Sequence, residues 1–311
     1  MTNPDKSLAG QRIGLFGRGG SGKSTCTVLL AKALAKAGYT VCVVDADSTN
    51  EGLPLALGAD RTPTPLLDWF GGTVFSGGPV TCPVDDPTPM AGAHLTPGQL
   101  PAQFVGQTPE GIRVFSAGKI GPLGPGAGCD GPMTKIARAF VFVTEGAAPV
   151  TLVDFKAGIE DASRGVINSL DWVIVVMDPS HAGLRAAVTM KTLLDQMQAG
   201  HLPATRHLKS PELVELTRRA YQTARTQGVL YVLNKVPDAD TELFLWQRMM
   251  EAEINAVVSI CEDSDLRQAW LEGLPLHSAP AEAEAAKIVR ALEQKRGCFA
   301  GERQVQPAAT G

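Results

Sequence analysis

No window of the 311 residues approaches the ~20 consecutive apolar residues that a membrane span requires. The first ten residues, Met1–Gly10, are polar and unlike a secretory leader, so a cytoplasmic protein with no membrane partner is expected. Basic residues never cluster densely: Lys and Arg total 28 against 32 Asp and Glu, a net charge of −4. Sequence-independent nucleic-acid binding therefore has little electrostatic support, and no specific nucleic acid is expected as a partner. The six cysteines (Cys26, Cys42, Cys82, Cys129, Cys261, Cys298) are dispersed and form no C-x-x-C pair, which argues against a disulfide framework. Cys26 and Cys42 fall in apolar helix and strand patterns and read as small core residues. The five histidines (His94, His181, His201, His207, His277) lack metal-ligand spacing. No G-x-S-x-G elbow accompanies them, so a Ser/His/Asp hydrolase has no support.

What is present is a glycine loop, GRGGSGKST, from Gly17 to Thr25. It follows a short apolar run, Arg12–Phe16, and leads into a helical pattern from Cys26 to Lys36, the order of a strand, phosphate loop and helix. Gly17, Gly19, Gly20, Ser21 and Gly22 let the backbone wrap closely around phosphate oxygens, while the helix start aims unpaired N–H groups at them. Lys23 is placed to neutralise the β- and γ-phosphates. Ser24 is placed to set its hydroxyl on Mg²⁺, and the amides through Thr25 complete a nest of donors.

Strand and helix signals alternate along most of the chain. Strands are expected at Arg12–Phe16, Thr40–Asp45, Ile112–Ser116, Val150–Asp154, Trp172–Met177, Val229–Asn234 and Ala256–Ile260, in β-branched runs without polar alternation. The expectation is a single α/β P-loop NTPase domain: a mostly parallel central sheet of about seven or eight strands, covered by helices on both faces. The domain spans 11–297, between a flexible N-terminus at 1–10 and a disordered polar tail at 298–311. Two insertions interrupt it. One, about 60–110, is rich in proline, glycine and threonine and suits an inserted lobe or a partner-dependent segment. The other, about 199–228, contains an amphipathic helix near Pro211–Thr226 whose arginines read as a solvated face.

Carboxylates stand at the ends of two predicted strands, where ligands bind in open parallel sheets. Asp45 and Asp47 follow the second, in VVDADSTNEGL, and Asp45 is expected near the loop lysine and metal. Asp154 ends VTLVD and is placed to hold Mg²⁺, partly through water. Asn234 and Lys235 lie at the end of LYVLNKV, and an amide there offers both a donor and an acceptor to a purine edge.

Taken together, these motifs resemble the deviant Walker A ATPases of the MinD/ParA class, with matches in order from Arg12 to Leu292. Arg18 stands where that class has its signature lysine, so the resemblance implies that Arg18 reaches across an ATP-dependent homodimer to the partner's nucleotide. It further implies that Asp47 orients the attacking water, that DFKAG, beginning at Asp154, is a nucleotide switch, and that Asn234 recognises adenine. The segment GPLGPGAGCDGP, Gly121–Pro132, is similar to interface loops of CooC-type nickel-insertion ATPases and of the nitrogenase iron protein. Cys129 takes the place of their metal- or cluster-binding cysteine, which implies Zn²⁺ or Ni²⁺ at a dimer interface. A CooC-type second cysteine would fall at Gly131, and an iron-protein one at Asp161. The implied function is an ATPase whose hydrolysis cycle drives maturation or metal insertion of a client metalloenzyme. The alternatives are a spatial-positioning ATPase acting on membrane or DNA, an ATP-driven iron–sulfur reductase, and an adaptor without appreciable hydrolysis.

Overall fold

The structure, a computed structural model, describes residues 6–71, 80–120, 130–158, 160–199, 201, 208, 210–224, 226–254 and 256–302. Strand β1 (Arg12–Phe16) leads through the glycine loop into α1 (Lys23–Lys36) and back to β2 (Val41–Ala46). Short helices α2 (Leu53–Leu57) and α3 (Leu66–Trp69) follow, then β3 (His94–Leu95), β4 (Gly106–Gln107) and β5 (Arg113–Ser116). The next stretch holds α4 (Gly131–Ala139), β6 (Val141–Phe142), β7 (Val150–Phe155), α5 (Glu160–Ser163), β8 (Trp172–Met177) and α6 (His181–Gln198). Finally come α7 (Pro211–Gln222), β9 (Gly228–Val236), α8 (Ala239–Glu251), β10 (Ala256–Cys261), α9 (Ser264–Glu272) and α10 (Ala279–Glu302).

Eight strands form one sheet in the order β10-β9-β8-β1-β7-β2-β5-β4. Every neighbouring pair is parallel except β4 with β5. All seven strands expected from the apolar runs are present, and β4 adds a short antiparallel edge that no run announced. Asp60 covers this edge: its carboxylate accepts from Gln107 N at 2.8 Å, and its own amide donates to Gln107 O. Strand edges with such caps resist pairing with other chains.

The continuous apolar strands bury both faces, as their lack of alternation requires. On one face, Ile13, Leu15, Val43, Leu152, Ile174 and Val232 pack with α1 and α10 through Leu29, Leu30, Ile288 and Leu292. On the other, Phe16, Val44, Phe115, Phe155 and Val175 meet α4 and α6 through Ile136 and Met190. Phe16 and Phe155 stack there with centroids 4.7 Å apart. The first insertion contributes to this second core: Leu66, Leu67, Val80, Leu95, Leu100 and Phe104 are buried in it. In the second insertion, Arg218 and Arg219 of α7 pair with Glu215 on an exposed face.

Leu8 is fully buried, and Lys6 lies over the Tyr39 ring, because the apolar floor beneath α1 needs a cover. Helix α10 continues to Glu302, five residues into the stretch read as tail. Among the described residues, no helix is long and apolar enough to cross a membrane.

Candidate functional site

The glycine loop leaves β1 at the sheet centre, between β7 and β8, so it meets the carboxyl ends of both neighbours. A cleft of about 600 Å³ opens there, lined by Gly19, Gly20, Gly22, Lys23, Asp47 and Asn50. Asn234, Lys235, Leu266, Arg267, Trp270 and Leu271 line it as well. The loop lysine, the acidic turn after β2 and the Asn-Lys pair after β9 are therefore brought to one cavity, as their spacing implied.

Gly22 caps α1 in the left-handed conformation, with φ 87°. A Cβ at this position would also collide with the Asn234 carboxamide, so glycine is required on two counts. Asn234 is buried behind the loop, where its Nδ2 donates to Ser21 O at 2.8 Å. Lys235 sits beside it at φ 61°, and its Nζ donates to Gly20 O at 2.9 Å. The Asn-Lys pair thus braces the phosphate loop, a task that its sequence position gave no sign of. Trp270 also lines the cleft, and its Nε1 donates to Thr25 Oγ1 at 2.9 Å.

Beneath the loop lies Asp154, wholly buried at the end of β7. Ser24 Oγ donates to its Oδ2 at 2.7 Å and Thr27 Oγ1 to its Oδ1 at 3.0 Å. Asn50 Nδ2 donates in turn to Ser24 Oγ at 3.0 Å. Burial raises the Asp154 pKa, opposed by the Ser24 hydrogen bond and by the charge of Lys23. A desolvated carboxylate beside a hydroxyl at a helix start is a hard oxygen set, and it suits Mg²⁺.

Asp47 is buried, and its Oδ1 accepts from Thr49 N at 2.9 Å and Thr49 Oγ1 at 2.6 Å. Asp45 differs from expectation. Its carboxylate pairs with Lys119 at 2.6 Å rather than with the loop lysine, because β5 lies next to β2 and delivers Lys119 to its end. Burial pushes the Asp45 pKa up to about 7, despite the opposing charge of Lys119. A carboxylate ending an apolar strand calls for a counter-charge on a neighbouring strand, yet without the strand order that signal could not single out Lys119.

Two further ion pairs tie the loop's surroundings together. Arg18 meets Asp178, just beyond β8, at 2.8 Å. Lys156, in the segment after Asp154, meets Asp130 at 2.8 Å, and Arg164 holds the other Asp130 oxygen at 2.8 Å. Burial disfavours the Asp130 charge, but these two cations outweigh it and hold the carboxyl below the usual range. Asp161 accepts from Thr134 Oγ1 at 3.0 Å and also faces Arg164. Asp130, next to Cys129 in sequence, and Asp161 are therefore both engaged by their own chain. Cys129 itself lies outside the described residues. At Gly131 the space of a side chain is filled by Cys82, whose Cβ and Sγ a Cβ there would strike. Among the described residues, no group of three or more His, Cys, Asp or Glu could hold a metal ion.

The sequence model of the CobQ/CobB/MinD/ParA nucleotide binding domain matches residues 16–276. An uncharacterized ATP-binding protein of Methanocaldococcus jannaschii is 30% identical over 188 residues, 60% of this chain and 74% of that protein. The carbon monoxide dehydrogenase accessory protein CooC of Rhodospirillum rubrum is 27% identical over 198 residues, 58% of this chain and 68% of CooC. Among solved structures, the septum site-determining protein MinD complexed with Mg-ADP from Pyrococcus horikoshii superposes with a TM-score of 0.57 at 16% identity. That superposition covers 93% of this chain and 98% of MinD. With a phosphate loop, a carboxylate at the adjoining strand end and the family match across most of its length, the chain belongs to the CobQ/CobB/MinD/ParA family and is a P-loop ATPase of the MinD/ParA type.

Proposed function

We propose that this ATPase works as an ATP-gated homodimer in the cytoplasm, and that its cycle serves the maturation of a client metalloenzyme by metal insertion. The triphosphate lies along the amides of Gly17–Thr25, with Lys23 against the β- and γ-phosphates. Ser24 and Asp154 would hold Mg²⁺, which when bound supplies charge neutralisation at the phosphate oxygens. Thr49 fixes one oxygen of Asp47, and the other receives a hydrogen of the attacking water, so the carboxylate orients the nucleophile rather than merely lining the cleft. One Nδ2 hydrogen of Asn234 holds the loop, and its Oδ1 is the acceptor for the adenine amino group. Arg18 leaves Asp178 to reach the partner's phosphates as two copies close face to face.

The observation that carries the maturation reading is the Lys156–Asp130 pair. Lys156 lies two residues from Gly158, whose amide donates to Gly17 O of the phosphate loop at 2.9 Å. Asp130 follows Cys129 directly and caps α4. Loss of the γ-phosphate would move the segment carrying Lys156, and this pair passes the movement to the cysteine loop. The similarity to CooC over two thirds of that protein supports the same reading.

The test measures metal in the dimer locked by ATP in an Asp47→Asn background, after loading with Ni²⁺ or Zn²⁺, with and without Cys129→Ser. Metal retained by the locked dimer and lost on Cys129→Ser is the expected result. A locked dimer that takes up no metal in either form would remove the delivery role while leaving the ATPase intact.

A further inference from the structure

β2 ends on Asp45, whose side chain is fully buried, and the turn that follows, Asp45–Asn50, lines the cleft with Asp47, Thr49 and Asn50. The Asn50 amide reaches the Ser24 hydroxyl. Lys119 approaches this turn from the neighbouring strand end. Its ammonium donates to Asp45 Oδ2 at 2.6 Å, to Asp47 O at 2.6 Å and to Asn50 O. An ammonium has three donors, and all three are used on this one turn. Two backbone bonds fasten the lysine's own segment to the same place: Ala117 N donates to Asp45 O at 2.8 Å and Ile120 N to Ser48 O at 3.2 Å.

We propose that Lys119 is a positioning residue for ATP hydrolysis, clamping the Asp45–Asn50 turn so that the Asp47 carboxylate stays at the γ-phosphate end of the cleft. The proposal rests on the Asp47 role given above. Removing the ammonium leaves Asp45 without its counter-charge and releases two carbonyls of the turn, so the turn relaxes. The phosphate loop, which supplies most contacts to the nucleotide, makes no bond to Lys119 among the described residues. Turnover should therefore fall while nucleotide affinity is kept, the pattern of a lost orientation rather than of lost binding.

The experiment compares Lys119→Met, Lys119→Arg, Asp47→Asn and the Lys119→Met/Asp47→Asn double variant. It reads phosphate release at saturating ATP and Mg²⁺, affinity for a fluorescent ATP analogue, and thermal melting. Lys119→Met is expected to lose about tenfold to a hundredfold in kcat, with affinity within about threefold of wild type. Lys119→Arg should recover part of that loss, since it keeps the charge. The double variant should be no slower than Asp47→Asn alone, within about twofold, because the lysine acts through the aspartate. A folded Lys119→Met protein with wild-type kcat overturns the proposal, as does a loss that multiplies fully with Asp47→Asn or one matched by an equal loss of affinity. Should Lys119→Met fail to melt cooperatively, Lys119→Arg decides. Reduced kcat with intact affinity, not multiplying with Asp47→Asn, upholds the clamp, and either wild-type kcat or full multiplication overturns it. Failure of the Asp47 role shows separately, as undiminished phosphate release from Asp47→Asn with Lys119 in place.

Discussion

The guanidinium of Arg18 is ion-paired at 2.8 Å with Asp178 of its own chain. The arginine is partly exposed, and a pair of that kind contributes at most about 1 kcal/mol. It restrains the side chain without locking it, which leaves Arg18 able to exchange Asp178 for a phosphate.

Asp178→Asn should therefore tighten ATP-dependent dimerisation only slightly, by less than about fivefold in Kd. Arg18→Ala should abolish it. Light scattering under saturating ATP and Mg²⁺, with Asp47→Asn blocking turnover, measures both. Dimers of Arg18→Ala at wild-type concentrations would assign the arginine to its own active site.

Gly22→Ala should be among the most damaging single changes to the phosphate loop. The new Cβ meets the Asn234 carboxamide and demands a left-handed backbone of a residue that disfavours it. A loss of about 2 kcal/mol or more in folding stability is expected, together with loss of measurable ATP binding in calorimetry. Unchanged melting would mean that Asn234 moves aside freely.

Asn234→Ala removes the brace on Ser21 O and strands a buried carbonyl, at a cost of about 1–3 kcal/mol. Nucleotide affinity should drop for ATP and GTP alike, because the loop itself loosens. A change confined to ATP would give the asparagine a purely base-reading task.

Asp45 makes stability depend on pH in a defined window. Its pKa is about 7 in the folded protein and 3.8 in its absence, so between those values the unfolded chain binds fewer protons than the folded one. Stability from this group accordingly falls as pH rises from about 4 to about 7 and is constant above. Asp45→Asn lacks that fall. The unfolding free energy of Asp45→Asn minus that of wild type, without nucleotide, should climb across the window by up to roughly 4 kcal/mol. A difference independent of pH would show that Lys119 keeps the carboxylate fully ionised throughout.

The sheet was legible because its strands are buried on both faces and so carry unbroken apolar runs. The β4 edge was not, since two residues carry no periodicity and pair only where β5 is already in place. The phosphate loop, Asp47, Asn234 and Lys235 reach one cleft, with Asp154 buried beneath the loop, because parallel strands deliver their carboxyl ends to a common edge. Lys119, Asn50 and Thr27 escaped notice for the opposite reason: each works through a partner distant in sequence, which only the strand order brings near. Lys156 takes its role from Asp130, 26 residues earlier, which only the fold sets beside it. The first insertion read as a possible separate lobe because proline and glycine mask its few anchors, Leu66, Leu95 and Phe104, which share the main core.

Trp270 lines the cleft with its indole N–H on Thr25, the last residue of the phosphate loop. Of the four tryptophans in the chain, Trp69, Trp172 and Trp246 are not among the residues that line this cavity. The protein thus carries its own optical reporter: intrinsic emission should respond to ligand arrival at one indole, so occupancy can be followed in stopped flow without attaching a dye.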